Sequence, residues 1–280
     1  MAMEYFSGIA GVSLTFIVMM SVCTIAILLL IFGLILDLRK WAQGSVAYGL
    51  EPEEGKAGSI PAFIKAYWKQ LRSHEGVHHG QSFWKSLILD VCLQRRTFRA
   101  SKGRWFMHML IFIGWMGLFA LSGLMFAAEI THMLGVHFDI EAFRNMLQFP
   151  NQILGYMLLI GVLIAVVRRL FIPKVRQNTN SYDSVLLITL LIVIITGFIA
   201  HAGRYIVMGA SAFTGVDMIF YDYQLWTLGS MQFFNTYVKE LALTHSVLAL
   251  FIGFAFIPYS KYIHMITSPL TILVNKGGEK

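Results

Sequence analysis

The chain has 280 residues, of which 57% are hydrophobic and 13% are charged. A soluble globular domain carries roughly 25% charged residues, so most of this chain does not face water and a soluble fold is excluded. The formal net charge of +7 comes from basic residues that lie between long apolar segments, which the positive-inside bias of membrane proteins explains without a nucleic-acid partner.

The two cysteines narrow the metal sites that the chain could hold by itself. Cys23 and Cys92 lie far apart and form neither a CxxC pair nor a CxxCH heme-attachment motif. An iron–sulfur cluster takes about four ligands, mostly Cys, so this chain alone does not supply one. No basic residue precedes the first apolar segment, which is also too long for the core of a signal peptide, so we expect it to be retained as a helix.

Five apolar segments follow one another along the chain. A helix crosses the hydrocarbon core of a bilayer with about 20 mostly apolar residues, and each segment meets or approaches that length. The sequence therefore predicts an all-α integral protein of the cell membrane, a single five-helix transmembrane bundle over residues 1–280. The helices are expected at about 12–36, 105–128, 151–172, 184–207 and 241–264.

Lys and Arg are distributed unequally between the two sides that these helices connect. Nineteen of the 22 lie in 37–104, 168–182 and 261–280, while the segments on the opposite side contain only Arg144 and Lys239. Because short loops rich in Lys and Arg stay in the cytoplasm, we expect the N-terminus outside and the C-terminus in the cytoplasm.

The segment 37–104 is the one long polar stretch of the sequence. A turn-rich linker, EPEEGKAGS, is followed by two stretches with aromatic faces, 60–72 and 82–98, which favour short helices. The segment is basic and leads directly into the second membrane helix. We therefore expect it to dock a soluble partner, with Arg95 and Arg96 as candidate contacts.

Four of the nine histidines lie in the predicted membrane helices or at their ends. At a rise of about 1.5 Å per residue, His108 lies about 6 Å above the inner end of the second helix, and His264 lies at the inner end of the fifth. His201 lies near the outer end of the fourth helix, and His245 lies about 6 Å inside the outer end of the fifth. By depth, the four histidines form an inner pair and an outer pair.

Two imidazoles from different helices at one depth suit a bis-histidine b-type heme, and two such pairs would hold two hemes across the bilayer. In the structural alternative, each histidine only bridges neighbouring helices through hydrogen bonds. Structural zinc is disfavoured, since it takes four ligands and neither pair has a Cys or a carboxylate beside it.

Heme propionates require cations, and the sequence places cations near both pairs. Arg104, with Arg99 and Lys102, lies just below His108, while Arg204 lies one turn beyond His201. Contact with lipid headgroups explains the inner cluster equally well. Arg204 is more specific, because its side of the membrane has few other basic residues.

Two stretches resemble known membrane cytochromes. PYSKYIHMITSP at 258–269, with His245 upstream, resembles the last helix of the respiratory nitrate reductase gamma-type cytochromes b. LDVCLQRRTFRASKGRWFMHMLIFIGWMGLFALSG at 89–123 is more similar to the E-type membrane subunit of methanogen heterodisulfide reductase and its relatives in sulfite-reduction complexes. The N-terminal MEYFSG and the linker YGLEPEEGKAGS indicate the same family.

This resemblance implies an electron-transfer subunit that oxidises a lipid-soluble carrier, reduced methanophenazine or a quinol. It implies that the electrons pass through heme b to a cytoplasmic iron–sulfur subunit, which reduces the heterodisulfide of coenzymes M and B. His108 and His264 match ligand positions of the inner heme, and His245 matches one of the outer heme. The outer half of the second helix lacks the second histidine of the gamma-type subunits. His201 is the substitute by depth; His132 is its rival, although it lies beyond the expected end of that helix.

The carrier is expected to be oxidised at the outer side, near His201 and Arg204. Two-electron oxidation of a quinol-type carrier releases two protons, so an ionisable group is needed there, and Glu129 or Glu240 is a candidate. Electrons moving inward while protons leave outward would make the reaction electrogenic. In the alternative, these charges only mark helix ends, which suits Glu240 best.

Two other classes of function stay open, a heme-free membrane anchor for a soluble redox partner and a small transporter. The transporter is disfavoured because the predicted spans show no broken helix and no acid at mid-membrane. The absorption band of a b-type heme separates an electron-transfer subunit from an anchor.

The fifth helix carries two of the four histidines, and their spacing predicts an irregularity. His245 and His264 are 19 residues apart, which sets them about 100° apart on an ideal α-helix. A π-bulge absorbs one extra residue, Pro258 lacks an N–H, and Gly253 is a weak helix former. We therefore predict a bulge or kink between about Gly253 and Lys261. In the alternative, the helix is regular and its partner helices lie at different angles.

Overall fold

The structure is a computed structural model, and it describes residues 14–43, 58–72, 83–208 and 232–274. Within these ranges the chain is almost entirely helical and contains no strand. Two π-helical turns (Leu87–Cys92 and Phe251–Ala255) and a 3₁₀ turn (Lys261–Ile263) interrupt the α-helices. The α-helices are α1 (Leu14–Gln43), α2 (Ile60–Arg72), α3 (Phe83–Ser86), α4 (Arg95–Ala100), α5 (Lys102–Met133), α6 (Ile140–Phe171), α7 (Pro173–Gln177), α8 (Ser181–Met208), α9 (Gln232–Leu250) and α10 (His264–Val274).

Among the described residues, four helices are long and apolar enough to cross a membrane. Their spans are Ile17–Gln43, Lys102–His132, Ala142–Phe171 and Ser181–Gly203. A shorter apolar stretch, Glu240–Ala255, covers the second part of α9 and the π-helical turn that follows it. Many large apolar side chains of the long helices are exposed, as expected where lipid rather than water covers the protein. The predicted class, an all-α membrane protein, is confirmed; the fifth span and the orientation stay predictions.

Helix α6 begins at Ile140, well before the start expected near 151. The carboxylate of Asp139 caps it by accepting a hydrogen bond from the backbone N–H of Ala142, at 2.9 Å. The helix then continues through Pro150. A search of the sequence for apolar segments does not detect this first part of α6, because several of its side chains are polar and face the protein interior.

The chain divides into two compact units, and each consists of two segments that are separated in the sequence. The first unit comprises 1–24 and 106–253, and the second comprises 25–105 and 254–280. In the first unit, α6 packs against both α5 and α8, and α8 packs against α9.

Glycine permits the close approach of α5 to α6. A Cβ atom on Gly114 would lie 2.8 Å from the backbone nitrogen of Leu158 and 2.9 Å from the carbonyl oxygen of Leu154. The two backbones are therefore in contact at this point. Membrane helices commonly associate in this way, since small residues let dispersion contacts and interhelical hydrogen bonds replace a hydrophobic driving force.

The second unit gathers the short helices that precede α5 around α10. Helix α10 packs against α2, α3 and the π-helical turn Leu87–Cys92. The hydroxyl of Tyr67 donates to the carbonyl oxygen of Leu270 at 3.1 Å. The indole N–H of Trp105 donates to the carbonyl oxygen of Leu93 at 2.8 Å, which folds α4 back on the start of α5. The helices predicted from 60–72 and 82–98 are present, the second as α3, the π-helical turn and α4.

The irregularity predicted between Gly253 and Lys261 is confirmed, and it is larger than one bulge. The α-helical pattern ends at Leu250, continues as the π-helical turn Phe251–Ala255 and then stops over 256–260. His264 therefore begins the separate helix α10 and does not end the helix that carries His245.

Helix α1 supports this break. A Cβ atom on Gly33 would overlap the ring of Pro258. The hydroxyl of Tyr259 donates to the carbonyl oxygen of Leu29 at 3.0 Å, one turn away on the same face of α1. The break is therefore held by α1 as well as by the missing N–H of Pro258.

Replacing Gly114 by Ala should destabilise the protein, because the new methyl group meets backbone atoms that cannot move independently. Overpacking of this kind costs about 1–3 kcal/mol. Thermal unfolding of the purified protein in detergent should show a lower midpoint. Gly123→Ala in the same helix is the matched control, since a Cβ atom there meets no atom within 4 Å. Equal midpoints for the two variants would contradict the α5–α6 contact.

Candidate heme-binding site

His245 on α9 contacts α8 through a hydrogen bond. Its Nδ1 lies 3.2 Å from Oγ1 of Thr196. The hydroxyl of Thr196 has the carbonyl oxygens of Ile192 and Val193 at 2.9 and 3.0 Å, and it donates its one proton in that direction. Oγ1 therefore accepts from Nδ1–H of His245, and the other ring nitrogen, Nε2, keeps a lone pair for a ligand.

Gly197 gives the imidazole of His245 its place against α8. A Cβ atom on Gly197 would lie 2.9 Å from Cε1 and 3.3 Å from Nε2 of His245. Any larger residue would push the ring away from the backbone of α8. The missing side chain thus sets where His245 lies at the α8–α9 contact.

His201 lies one turn beyond Gly197 on α8, about 6 Å further along the helix axis. Its Nδ1 lies 3.2 Å from the amide nitrogen of Gln152 on α6, and the Gln152 side chain is buried, at 2% exposure. Since the amide N–H₂ donates, Nδ1 accepts and the ring proton sits on Nε2. To ligate a metal through Nε2, His201 needs its proton on Nδ1 instead. A half-turn of the Gln152 amide would favour this tautomer, because the amide oxygen would then accept a hydrogen bond from Nδ1–H. The structure thus brings both predicted outer histidines to the same stretch of α8.

His264 is exposed at the start of α10, in the second unit. Its Nδ1 donates to the carbonyl oxygen of Lys261 at 2.6 Å, so Nε2 keeps the lone pair. His108 is half-buried on α5, in the first unit. The two inner histidines belong to different units, so their pairing stays a prediction from the depth in the membrane that the sequence indicates for each.

His132, the rival of His201, lies within α5, because this helix continues past 128 to Met133. Its ring meets those of His137 and Phe138 edge-on, with centroids 6.3 and 5.8 Å apart. The Nδ1 atom of His132 is buried and has no hydrogen-bond partner among the described residues. His132 therefore lies within the last turn of α5, whereas the sequence predicted that it lies beyond the end of this helix.

The cations proposed for the propionates differ in how much the structure shows of them. Arg104 is exposed in the first turn of α5. Arg204 belongs to α8, and its side chain lies outside the described residues. Sequence reasoning missed a buried ion pair, in which Nη2 of Arg144 lies 2.6 Å from Oε1 of Glu129. The signal available was that Arg144 is one of very few basic residues on its predicted side of the membrane.

The donor set distinguishes heme from a metal ion held by side chains alone. Among the residues that the structure describes, no three His, Cys, Asp or Glu side chains come together to hold a metal ion. Structural zinc takes four such ligands, whereas a bis-histidine heme takes two from the protein. In the imidazoles of His245 and His264, Nδ1 donates a hydrogen bond, so Nε2 carries the lone pair that a heme ligand uses.

The fold and the site together define the class: an all-α, multi-pass membrane protein whose helices hold histidines by hydrogen bonds between helices. The model of the HdrE family, the E-type subunits of dihydromethanophenazine:CoB–CoM heterodisulfide reductase, matches residues 84–272. The chain belongs to this family.

Full-length relatives show the same membership. The chain is 46% identical to the HdrE protein of this reductase from Methanosarcina thermophila, over 99% of the chain and 98% of the relative. It is 47% identical to the Methanosarcina mazei HdrE protein, over 99% and 100% of the two chains. A more distant similarity, 24% identity over 75% of this chain and 31% of the relative, is to an EtfAB:quinone oxidoreductase of Syntrophomonas wolfei. No solved structure matches the chain.

Replacing Arg144 by Met should strongly destabilise the protein, because Glu129 would keep a buried charge without its partner. Breaking one side of a buried ion pair costs about 3–5 kcal/mol. Lys174→Met is the control, since Lys174 is an exposed basic residue on α7. Substitutions of exposed side chains usually change the free energy of unfolding by about 0.5 kcal/mol or less. Chemical denaturation should separate the two variants, and similar stabilities would contradict a buried pair.

Proposed function

We propose that the chain is the membrane cytochrome b subunit of a heterodisulfide reductase. It oxidises a lipid-soluble carrier, dihydromethanophenazine or a quinol, and passes the electrons through two hemes b to a cytoplasmic iron–sulfur subunit. Family membership supports the reductase, since the relatives' name contains both dihydromethanophenazine and the CoB–CoM heterodisulfide. The disulfide itself is reduced on another subunit, so this chain carries no catalytic residue of its own.

The observation that carries the heme proposal is the hydrogen bonding of the histidines. Ligands of metals usually donate their second ring N–H to a neighbouring group, which orients the ring and raises the basicity of the ligating nitrogen. His245 and His264 already have this arrangement through Thr196 and the carbonyl of Lys261. His201 contacts Gln152, and a half-turn of the Gln152 amide would give His201 the same arrangement.

These contacts support the assignment of ligands to two hemes. The outer heme takes His201 and His245, which contact neighbouring stretches of α8. The inner heme takes His108 and His264, on the basis of their depth in the sequence. Bound heme supplies one-electron transfer. Arg204 holds the outer propionates, and Arg104 holds the inner ones.

Direction follows from the proposed orientation. We place the N-terminus outside, with five spans of which Glu240–Ala255 is the last, and the C-terminus in the cytoplasm of a cell-membrane protein. The whole chain then acts as one cytochrome domain. Carrier oxidation at the outer heme sends electrons inward and leaves protons outside, so the reaction generates a membrane potential.

Docking of the soluble iron–sulfur subunit is proposed for the segment 37–104. Within this segment, Arg95 stabilises the local structure, because its guanidinium donates hydrogen bonds to both carboxylate oxygens of the buried Asp90, at 2.9 and 3.1 Å. Replacing Arg95 would therefore disturb the segment itself. Arg99 is exposed on α4 and is the better residue for a test.

Replacing His245 by Ala should remove one of the two proposed hemes, because the outer heme would lose one of the residues that would hold it. The measurement is the heme-to-protein ratio and the reduced-minus-oxidised spectrum of the purified protein. His108→Ala and His264→Ala should each remove the other heme. His137→Ala is the matched control, since this histidine is exposed beyond α5 and should leave heme content unchanged.

A wild-type protein without the b-type absorption band would contradict the cytochrome and favour a heme-free anchor. If the His201→Ala variant retains both hemes and the His132→Ala variant loses one, His132 and not His201 is the ligand of the outer heme.

Replacing Arg99 by Glu should weaken attachment of the soluble iron–sulfur protein, because the docking segment would lose a positive charge and gain a negative one. Co-purification at increasing salt measures this effect, since salt screens exposed charges. Lys174→Glu is the control, as an exposed basic residue on α7, outside the docking segment. If both variants retain the iron–sulfur protein to the same extent at raised salt, the docking surface lies elsewhere.

A further inference from the structure

The outer half of α6 has a continuous polar face. At 100° per residue, its five polar side chains between 144 and 152 fall within a sector of about 120°. They are Arg144, Asn145, Gln148, Asn151 and Gln152. On the opposite side of the helix, Met146, Phe149 and Ile153 are exposed. The apolar face therefore meets lipid, and the polar face is turned into the protein.

Gln148 is the most informative residue of this face. It is only 3% exposed, and its amide nitrogen has no hydrogen-bond partner among the described residues. An amide without a partner in an apolar interior costs several kcal/mol, so such groups normally bind ordered water or a ligand. Because the side chain is covered so completely, the partner that fits there is small, and water meets this condition better than a tricyclic carrier does.

Both ends of the polar face are connected to other helices. At the outer end, Arg144 pairs with the buried Glu129 of α5 at 2.6 Å. Eight residues further along, Gln152 contacts His201 of α8 at 3.2 Å. The rise between these two positions of α6 is about 12 Å, with Gln148 midway. Polar groups thus extend from the outer heme ligand to the outer end of the helix bundle.

We propose that this polar face is the exit path for the protons that carrier oxidation releases. The proposal rests on the proposed function, in which the carrier is oxidised beside the outer heme. Water molecules beside Gln148 link the amide of Gln152 to the Glu129–Arg144 pair. Glu129 accepts each proton from this water and passes it to the outer surface, and the Arg144 guanidinium pairs with the carboxylate that remains.

The reaction balances without a further reactant. A dihydrophenazine-type carrier loses the two hydrogens of its ring nitrogens as two protons and two electrons. The electrons leave one at a time to the b-type heme group and from there to the disulfide acceptor. The two N–H bonds break, and both protons enter the water at Gln148. Blocking this water should therefore slow carrier oxidation and make proton transfer limit the rate.

The test uses the purified complex of all its subunits in proteoliposomes. A reduced water-soluble phenazine is the donor, and the CoB–CoM heterodisulfide is the acceptor. Gln148→Leu should lower the rate about a hundredfold, the lower part of the range for a positioned proton-transfer group. Its solvent deuterium isotope effect should exceed that of the wild type, with heme content unchanged. Gln148→Glu, which keeps a group that binds water and carries protons, should recover most of the rate.

Thr131→Val is the control, because the hydroxyl of this exposed threonine of α5 donates, among the described residues, only to the carbonyl oxygen of Ala127, at 2.7 Å. It should keep the wild-type rate and isotope effect. A wild-type isotope effect in Gln148→Leu, or a loss of rate that Gln148→Glu does not recover, would overturn the exit path and leave the proposed function intact. A wild-type complex that fails to oxidise the carrier would instead overturn the proposed function, and the path with it.

Discussion

The hydrocarbon core of a bilayer offers no water to a polar group, and this constraint shapes the contacts between the helices. A side chain such as Gln152 or Glu129 is costly in that environment unless the protein itself supplies a partner. The structure supplies His201 for the first and Arg144 for the second, each from a different helix. Polar residues therefore determine which faces of α5, α6 and α8 turn toward one another.

Close approach of the helices makes such short contacts possible. Gly114 lets α5 touch the backbone of α6, and Gly197 lets the ring of His245 lie against α8. With the helices this close, the ring nitrogens of His245 and His201 reach hydrogen-bond partners on α8 and α6. The same small residues that permit packing in lipid thus orient the rings that we propose as heme ligands.

The break before His264 shows how local chemistry and tertiary contacts act together. Pro258 weakens the helix, and its position was sufficient to predict an irregularity. The length of the break was not predictable, because it depends on the contacts of Pro258 with Gly33 and of Tyr259 with Leu29 on the distant helix α1. Likewise, the early start of α6 depends on a polar face that a count of apolar residues rejects.

By itself, the sequence determined the membrane class, the four long spans, the short helices of 60–72 and 82–98, and the resemblance to the E-type heterodisulfide reductase subunits, which family membership confirmed. Apolar length and motif are local properties, so they can be read along the chain. Only the tertiary structure decided the partners of the histidines, the Glu129–Arg144 pair and the buried amide nitrogen of Gln148, which has no partner in the part of the chain that the structure describes. These contacts depend on which face of one helix packs against another. That packing is determined jointly by residues that lie far apart in the sequence.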